Sequence, residues 1–358
     1  MITISLCMIV KNEEAVLERL LRTMSTVADQ IVIMDTGSTD RTKEIAARYT
    51  DEVYDFPWTD DFAAARNAVC QKAVSDYWMW MDADDVMEPE QAARLKKLKE
   101  TLDPSVDVVM MKYLTGFDEN GRTSFSYYRE RILKNHKGFR WQGRVHEAVP
   151  PAGNILYTDI EIQHRKEGAG DKDRNLRIYE TMLSQGEPLE PRHQFYYARE
   201  LYYHERYEDA VRVFRAFLQE PDGWVENKID ACLHLALCEE HLGHTEKAVE
   251  ALLKSFLYDS PRGEACCELG RMKMKEEKYR EAAYWYTQAL SSRPAEQTGA
   301  FVRKDCYGFL PSIQLCVCYD RLGDHRRAWH YHLKSQKLKP EHPSVRQNQT
   351  YFEHKLKR

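Results

Sequence analysis

The chain lacks a long apolar run, although 43% of its 358 residues are hydrophobic. No stretch reaches the roughly 18 apolar residues that a membrane-spanning helix needs. The apolar segment at residues 1–10 is too short for the core of a signal peptide and runs at once into the charged residues 11–14. We therefore expect no membrane span and a cytoplasmic location.

Paired cysteines and a strong net charge are also missing. The nine cysteines are scattered, odd in number and contain no CxxC pair. Six of them lie among apolar residues with helical spacing, which is typical of reduced core thiols and not of a disulfide framework: Cys232, Cys238, Cys266, Cys267, Cys316 and Cys318. The net charge of −5 gives no general attraction to nucleic acid, so we expect no nucleic-acid partner.

The most informative segment that is present is YWMWMDADD, residues 77–85. Its apolar part predicts a buried strand that runs to Asp82. Alternate residues of a strand point the same way, so Asp82 and Asp84 should share a face. Ligands of open α/β sheets bind at this end of the strands. The carboxylate pair therefore predicts a divalent cation that holds a diphosphate, with a solvated acidic turn as the alternative.

Strand and helix patterns alternate through the first half of the chain. Strands are predicted over 2–10, 30–35, 53–56 and 77–82, and helices over 14–24, 42–49 and 62–74. This alternation indicates a mostly parallel sheet with right-handed crossovers. Asp35 ends the second strand beside a glycine turn, where a carboxylate can bind a ribose or a base. Ordinary turn chemistry is the alternative for Asp35.

Four segments in this order resemble a family 2 glycosyltransferase with the GT-A fold: CMIVKNEE at 7–14, IMDTGSTD at 33–40, DFAAARN at 61–67 and MDADD at 81–85. The resemblance covers about the first 110 residues. It implies transfer of a sugar from a nucleotide diphosphate, usually of uridine, with inversion at the anomeric carbon. It also implies that Asp35 holds uracil or ribose, and that Asp82 and Asp84 hold Mn or Mg on the diphosphate.

The donor site predicted from this resemblance includes residues from several segments: Val10, Asn12, Glu14, Asp35, Arg66, Asp82, Ala83, Arg131, Arg144, Lys172 and Arg174. Arg66 can pair with phosphate or brace an acidic cluster, and a surface arginine is the alternative. Residues 166–175 predict a mobile loop whose Lys172 or Arg174 closes on the diphosphate, with plain solvation as the alternative.

An inverting transfer needs a general base to accept the proton of the acceptor. The segment GFRWQGRVHEAV, residues 138–149, resembles the Gly-Arg-x-His-Glu segment of family 2 transferases that carry helical repeats. Glu147 is the first candidate base, His146 the second and Asp85 the third; a structural ion pair between Glu147 and an arginine is the alternative. Neighbours in an extended segment point oppositely, so only one of Glu147 and His146 should face the donor. By analogy with other GT-A enzymes, His164 is a third metal ligand, with a structural role as the alternative.

From about residue 192 a helical repeat replaces the strand pattern. Alanines 210, 248, 282 and 328 are the last residues of similar tetrapeptides, and each follows an upstream small residue, at Ala198, Ala236, Gly270 and Cys316. Gly243 and Gly323 mark turns, and residues 295–306 are an insertion. The pattern resembles tetratricopeptide repeats. The expected fold is thus an α/β GT-A domain with a mixed sheet over residues 1–190, followed by an all-α repeat domain over 191–358.

The combined prediction is a metal-dependent, inverting hexosyltransferase that uses a nucleotide sugar, with UDP the expected carrier. The layout is similar to that of bacteriocin-peptide glycosyltransferases, which implies a peptide or protein acceptor presented by the repeats. The repeats also predict a homodimer. The alternatives are a glycosyltransferase of cell-envelope saccharide synthesis and a non-enzymatic adaptor, which would have no need to retain the carboxylates.

Overall fold

A computed structural model describes residues 1–117, 121, 123–167, 171–295 and 298–355 of the chain. Its contacts divide the chain into two compact units, Met1–Pro188 and Leu189–Arg358. The predicted loop at 166–175 falls partly outside the described residues, as do residues 296 and 297 of the predicted insertion.

The first unit is built on a mixed sheet in the order β3-β2-β1-β4-β7-β6-β8-β5. Strands β1 to β4 are parallel to one another and β6 is parallel to β8, whereas β7 is antiparallel to both β4 and β6. The predicted α/β fold with a mixed sheet is confirmed, and its parallel pairs are those among β1 to β4 and the pair of β6 with β8. The strands are β1 Ile4–Val10, β2 Gln30–Asp35, β3 Val53–Asp55, β4 Tyr77–Trp80, β5 Asp85–Val86, β6 Val108–Phe117, β7 Thr123–Lys134 and β8 Ile155–His164.

The central strands are apolar on both faces because both faces are covered. In β1, Leu6 and Met8 belong to one core cluster, and Cys7 between them belongs to the other. Buried central strands of this kind read as continuous apolar runs. The helices of this unit are α1 Leu17–Met24, α2 Thr42–Ala46, α3 Phe62–Cys70, α4 Pro89–Thr101 and α5 Arg174–Ser184.

The strand that was predicted to reach Asp82 ends at Trp80, and Ala83 and Asp84 form a turn. Two hydrogen bonds close this turn: the Asp85 amide donates to the Asp82 carbonyl at 3.0 Å, and the Asp82 amide donates to Asp85 Oδ2 at 3.1 Å. The alternate-residue geometry of a strand therefore does not apply to Asp82 and Asp84. The acidic segment still follows the carboxyl end of a central strand, because β1, β2 and β4 are parallel.

The second unit consists of paired helices and confirms the predicted repeat fold. The four repeated alanines, at 210, 248, 282 and 328, are all 0% exposed. The helices are α6 Pro191–Tyr203, α7 Tyr207–Phe217, α8 Val225–His241, α9 Thr245–Lys254, α10 Gly263–Lys275, α11 Tyr279–Ser291, α12 Phe309–Arg321, α13 His325–Leu338 and α14 Pro343–Lys355. The insertion contains the short strand β9, Val302–Arg303, and a 3₁₀ turn at Lys304–Tyr307 follows it.

The turn within each helix pair places one residue in the left-handed region. Gly243 and Gly323 occupy this position in the second and fourth pairs, at φ of +79° and +80°. Glu205 and Glu277 occupy it in the first and third pairs, at φ of +59° and +56°. Sequence patterning detects only the glycines, because glycine alone adopts this conformation without a steric cost.

Three further observations concern the cysteines, the aromatic residues of the repeat helices and membrane-spanning helices. All nine cysteines are free thiols, and eight of them, Cys70 excepted, are buried. Among the aromatic residues of the repeat helices, Phe195 and Tyr286 are buried, whereas Tyr203 is 55% exposed. Within the described part of the chain, no helix combines the length and the apolar character needed to cross a membrane.

Candidate functional site

Three side chains of types that bind metal ions, Asp84, Asp85 and His164, lie close together at the end of β8. Oxygen or nitrogen atoms of Asp84, Asp85 and His164 all lie within 4.8 Å of one another. Strand pairing explains this, because Asp85 in β5 is the register partner of His164 in β8. His164 Nδ1 lies 3.3 Å from Asp84 Oδ1 and 3.8 Å from Asp85 Oδ1. The predicted ligands Asp84 and His164 are thus brought together.

Carboxylate oxygen and imidazole nitrogen suit Mn²⁺ or Mg²⁺, so the donor chemistry of this cluster fits a divalent cation. Asp84 and His164 are partly exposed, with 17% and 32% of their side chains accessible, so a cation can reach them. Hydrogen bonding to Asp84 and then to Asp85 raises the pKa of His164 to about 10. Cation binding through this imidazole must therefore release a proton.

Asp85, the third candidate base, has no accessible side-chain surface. Its Oδ2 accepts from Arg131 Nη1 at 3.0 Å, and its Oδ1 accepts from the Tyr113 hydroxyl at 2.8 Å. The Arg131 guanidinium lies over the rings of Trp80, at 3.8 Å, and Tyr113, at 4.2 Å. Arg131 is itself 0% exposed, so it does not reach a donor directly and acts on the site through the carboxylates beside it.

Arg66 joins two carboxylates that the sequence assigned to different roles. Its Nη2 donates to Asp82 Oδ1 at 2.7 Å, and its Nε donates to Glu147 Oε1 at 2.6 Å. The guanidinium is also packed against the rings of Trp80 and Trp141, at 5.1 and 4.8 Å. Arg66 therefore braces an acidic cluster, which is one of the two site roles predicted for it.

The contact with Arg66 stabilises the ionised form of Asp82. Burial opposes ionisation, but the nearby cations, Arg66 first, lower the pKa of Asp82 to about 2. One Asp82 oxygen is occupied by Arg66, and Asp82 is not among the three residues of the compact ligand cluster. Its role as a metal ligand stays a prediction.

Glu147 lies in a bent loop, not in the extended segment that was predicted. A bridge between Gln142 and Ala148 closes this loop, and His146 is in the left-handed region at φ of +52°. The His146 ring stacks on Tyr179 of α5, with centroids 6.2 Å apart. Arg144 pairs with Glu187. Glu147 thus contacts Arg66 of the Arg66–Asp82 pair, whereas His146 contacts Tyr179 and Arg144 contacts Glu187.

Asp35 presents an unused buried acceptor at the end of β2. Its Oδ1 accepts from the amides of Gly37 and Ser38, at 2.9 and 2.8 Å, while its Oδ2 is buried and has no hydrogen-bond partner among the residues that the structure describes. A buried polar atom without a partner is uncommon and points to a missing ligand or water. Ribose and uracil both offer donors that would satisfy this oxygen.

The loop after β1 is held against the loop after β2. The Asn12 amide donates to Ser38 Oγ at 2.9 Å, and Asn12 Oδ1 accepts from the Thr39 amide at 2.8 Å. The Val10 carbonyl accepts from the Thr36 amide at 2.9 Å. Glu14 pairs with Arg41 at 3.2 Å. The side chains of Asn12 and Glu14 are thus used to fix loop conformation around Asp35.

The remaining predicted donor ligands lie at the margin. Ala83 is 3% exposed, within the turn between Asp82 and Asp84. Lys172 is exposed, and Arg174 begins α5 with its guanidinium 4.6 Å from the Phe62 ring centre. The predicted mobile loop therefore ends before Arg174, and its residues 168–170 lie outside the described part.

Sequence reasoning missed two residues of this site. Burial, and then repulsion from Asp84 and Asp82, raise the pKa of Glu13 to about 7. Glu13 therefore lies close enough to these two carboxylates to interact with them electrostatically. Tyr113 contacts both Asp85 and His164 from β6. Glu13 sits within the quoted KNEE segment, whereas nothing in the sequence around Tyr113 marks it.

Comparison with known proteins identifies the region that carries all of the cation cluster except His164. Residues 5–156 match the model of glycosyl transferase family 2. A TPR repeat-containing protein of Synechococcus elongatus is 32% identical over 149 residues, which are 42% of this chain and 36% of that protein. The SPbeta prophage-derived glycosyltransferase SunS of Bacillus subtilis is 27% identical over 228 residues, which are 58% of this chain and 51% of SunS.

The lipopolysaccharide core biosynthesis glycosyltransferase LpsC of Rhizobium meliloti is 26% identical over 152 residues, covering 40% of this chain and 56% of LpsC. The chain thus spans between 36% and 56% of the length of these relatives. The resemblance to a family 2 glycosyltransferase domain followed by tetratricopeptide repeats is confirmed.

Proposed function

We propose that the protein is an inverting glycosyltransferase that moves a hexose from a nucleotide diphosphate, with UDP the expected carrier, to a peptide or protein side chain. The observation that carries this proposal is Arg66, which links Asp82 beside the cation cluster to Glu147, the candidate base, with bonds of 2.7 and 2.6 Å. The donor side and the acceptor side of one reaction would meet at this guanidinium.

The donor half of the site follows from the unused oxygen of Asp35 and the cluster of Asp84 and His164. Asp35 would hold the ribose or the base, and Asp84 and His164, with Asp82 as the remaining candidate, would hold Mn²⁺ or Mg²⁺. A bound cation would neutralise charge that develops on the leaving diphosphate. The turn formed by Asp82, Ala83 and Asp84 would keep these carboxylates beside that diphosphate.

Glu147 is the base that the contacts favour. Its side chain is 12% exposed, so it lies in a sheltered place that an acceptor can still reach, and its Oε1 accepts a hydrogen bond from Arg66. As the acceptor nucleophile attacks the anomeric carbon, Glu147 would take the nucleophile's proton while the bond to the nucleotide diphosphate breaks. Asp85 is less suited because both of its oxygens are paired and its side chain is inaccessible.

A peptide acceptor fits the repeat unit, whose helices carry exposed Tyr203 and Tyr284, at 55% and 58% exposure. These residues would contact the acceptor or a second copy of the chain in a homodimer. The similarity to LpsC supports transfer to a cell-envelope saccharide as the second candidate function. A cytoplasmic location is part of this proposal.

The proposal is tested by incubating the full chain with a panel of nucleotide sugars and either Mn²⁺ or Mg²⁺, and measuring nucleotide release. We expect slow hydrolysis of one donor, dependent on the cation. The release should rise when a peptide acceptor is added. A saccharide that raises it in place of any peptide would favour the second candidate, and release of no nucleotide under any condition would support the adaptor.

Glu147→Gln tests the base. Glutamine can still accept the bond from Arg66, so donor affinity should stay near the wild-type value, whereas turnover should fall about 10²-fold or more because the proton acceptor is lost. Glu187→Gln is the matched control, because Glu187 pairs with Arg144 of the same loop. It should retain turnover. If His146→Ala shows the loss and Glu147→Gln does not, the base is His146.

A further inference from the structure

Residues 298–307, the insertion segment between α11 and α12, lie against the first helices of earlier helix pairs. The Phe301 ring centre lies 4.5 Å from the Arg199 guanidinium of α6. The Arg303 amide donates to Glu264 Oε1 of α10 at 2.7 Å, from within the short strand β9. The insertion segment is therefore a short extended peptide of the chain itself, seated on helices that precede it in the sequence.

The Arg199 guanidinium is surrounded by aromatic rings from two parts of the repeat unit. Phe195, Tyr196 and Tyr203 of α6 have their ring centres 5.5, 5.8 and 5.6 Å from it. Phe301 of the insertion segment is nearer, at 4.5 Å. Guanidinium groups stack favourably on aromatic faces. Phe301 thus adds to a cluster that α6 builds by itself, in the way that an aromatic residue of a ligand would.

The fit beneath the insertion segment is incomplete. Val302 is 1% exposed, yet a cavity of about 30 Å³ remains beside it. The residues that line this cavity include members of α8, of α10 and of the insertion segment: Ile229, Asp230, Leu233, Ala265, Ala300 and Val302. The Nε groups of Arg199 and Arg262 are buried and have no hydrogen-bond partner within the described part of the chain. Such groups indicate a missing ligand or water, so this face offers donors that the segment leaves unused.

We propose that the face formed by α6, α8 and the start of α10 is a peptide-binding site, and that the insertion segment is its internal occupant. Stacked repeats present extended surfaces of this kind to their partners. A competing peptide would place an aromatic residue on Arg199 and the following aliphatic residue in the place of Val302, with a backbone N–H directed at Glu264. The site does not require sugar transfer; that its peptide is the glycosyl acceptor rests on the proposed function.

Tethering gives the insertion segment an advantage over a free peptide. The effective concentration of a segment on a short link is on the order of millimolar. A free peptide that makes only the same contacts is therefore excluded at micromolar concentration. A peptide whose carbonyl groups also accept from the Nε groups of Arg199 and Arg262 would displace the segment. The insertion segment would thus select for peptides that fit this face better than it does.

The test supplies the segment as a separate peptide. In a full-chain variant, residues 298–303 are replaced by Gly-Ser repeats of equal length. A labelled peptide with the sequence of residues 298–305 should bind this variant about 10-fold or more tightly than the wild type, because the tethered competitor is gone. Fluorescence anisotropy without donor or cation measures the affinity. The control is the same peptide with Phe301→Ser and Val302→Ser, which should bind neither protein.

Equal binding of the peptide by the two proteins, or binding by neither, would overturn the inference. Loss of the helical circular dichroism of the variant would also overturn it, because the segment would then be a fixed part of the fold. In the wild type, the Arg303 amide should exchange its hydrogen faster than the amides inside α10, since a displaceable segment opens at a lower free energy than the helix beneath it. Equal protection would contradict this. None of these measurements involves a nucleotide sugar, so the proposed transfer is tested separately.

Discussion

The two units bury charged side chains in different ways. In the first unit, Asp85, Arg131 and Arg66 are buried at 0–7% exposure and find partners from distant segments, all near the carboxyl end of β4. In the second unit, ion pairs such as Arg262–Glu226, at 3.0 Å, connect one helix pair to the next. Burial of charge is costly unless the charges are paired. Much of this cost in the first unit falls near the carboxyl end of β4, where we propose the chemistry.

The largest expected effect comes from breaking the charge network of the first unit. Asp85→Asn leaves the Arg131 guanidinium buried without a carboxylate, so the free energy of unfolding of this unit should fall by about 3–5 kcal/mol. Hydrogen exchange resolved by peptide measures the stability of each unit separately. The second unit should keep its protection.

Glu226→Gln is the corresponding change in the second unit. Arg262 keeps its bond to Asp259, at 2.6 Å, so the loss of stability should be smaller than in Asp85→Asn. If the two variants lose the same stability, or if Asp85→Asn unfolds like the wild type, the contrast between the units is wrong.

A smaller effect tests the close packing between helices of the second unit. A Cβ on Gly270 would lie 2.8 Å from the ring of Tyr286, which is 2% exposed. Gly270→Ala should therefore lower stability by about 1–2 kcal/mol, because overpacking outweighs the gain in helix propensity. Thermal unfolding of the single and double variants measures the coupling. In a Tyr286→Ala background the same change should become neutral or stabilising, and a loss that persists there would contradict the packing explanation.

The fold was largely predictable because the patterns that indicate its helices and strands lie within short stretches of sequence. The repeated alanines mark helix pairs about 40 residues apart, and all four proved fully buried. The early strands were visible because they are buried on both faces. The antiparallel entry of β7 between β4 and β6 was missed, because strand pairing depends on contacts between distant segments that periodicity does not record.

Individual residues of the site were predictable from the sequence, but the contacts between them were not. Motifs indicated Asp84, Glu147 and Arg66, but not that Arg66 bridges residues 82 and 147. Tyr113 was invisible because its role depends on β6 and β8 being neighbours. The turn at Ala83 and Asp84 was missed because hydrogen bonds involving Asp82 and Asp85 overrode the extended pattern.

The smallest expected effect sharpens the comparison within the repeats themselves. Glu277 occupies the left-handed turn position at φ of +56° and is exposed, whereas Gly243 occupies the equivalent position of the preceding pair at +79°. A non-glycine residue in the left-handed region costs about 1–2 kcal/mol of backbone strain. Glycine removes this strain, but part of the gain in stability is lost because glycine gives the unfolded chain more conformational freedom. Glu277→Gly should therefore stabilise the second unit by about 0.5–1 kcal/mol.

Gly243→Ala should destabilise the second unit by about 1 kcal/mol. The added Cβ would meet no atom within 4 Å, so only backbone strain changes. Denaturant unfolding of the second unit, followed by hydrogen exchange, measures both. Opposite signs would show that backbone conformation governs these turns, whereas a loss in Glu277→Gly would mean that the Glu277 side chain stabilises its turn and that the repeats are less interchangeable than their alanines indicate.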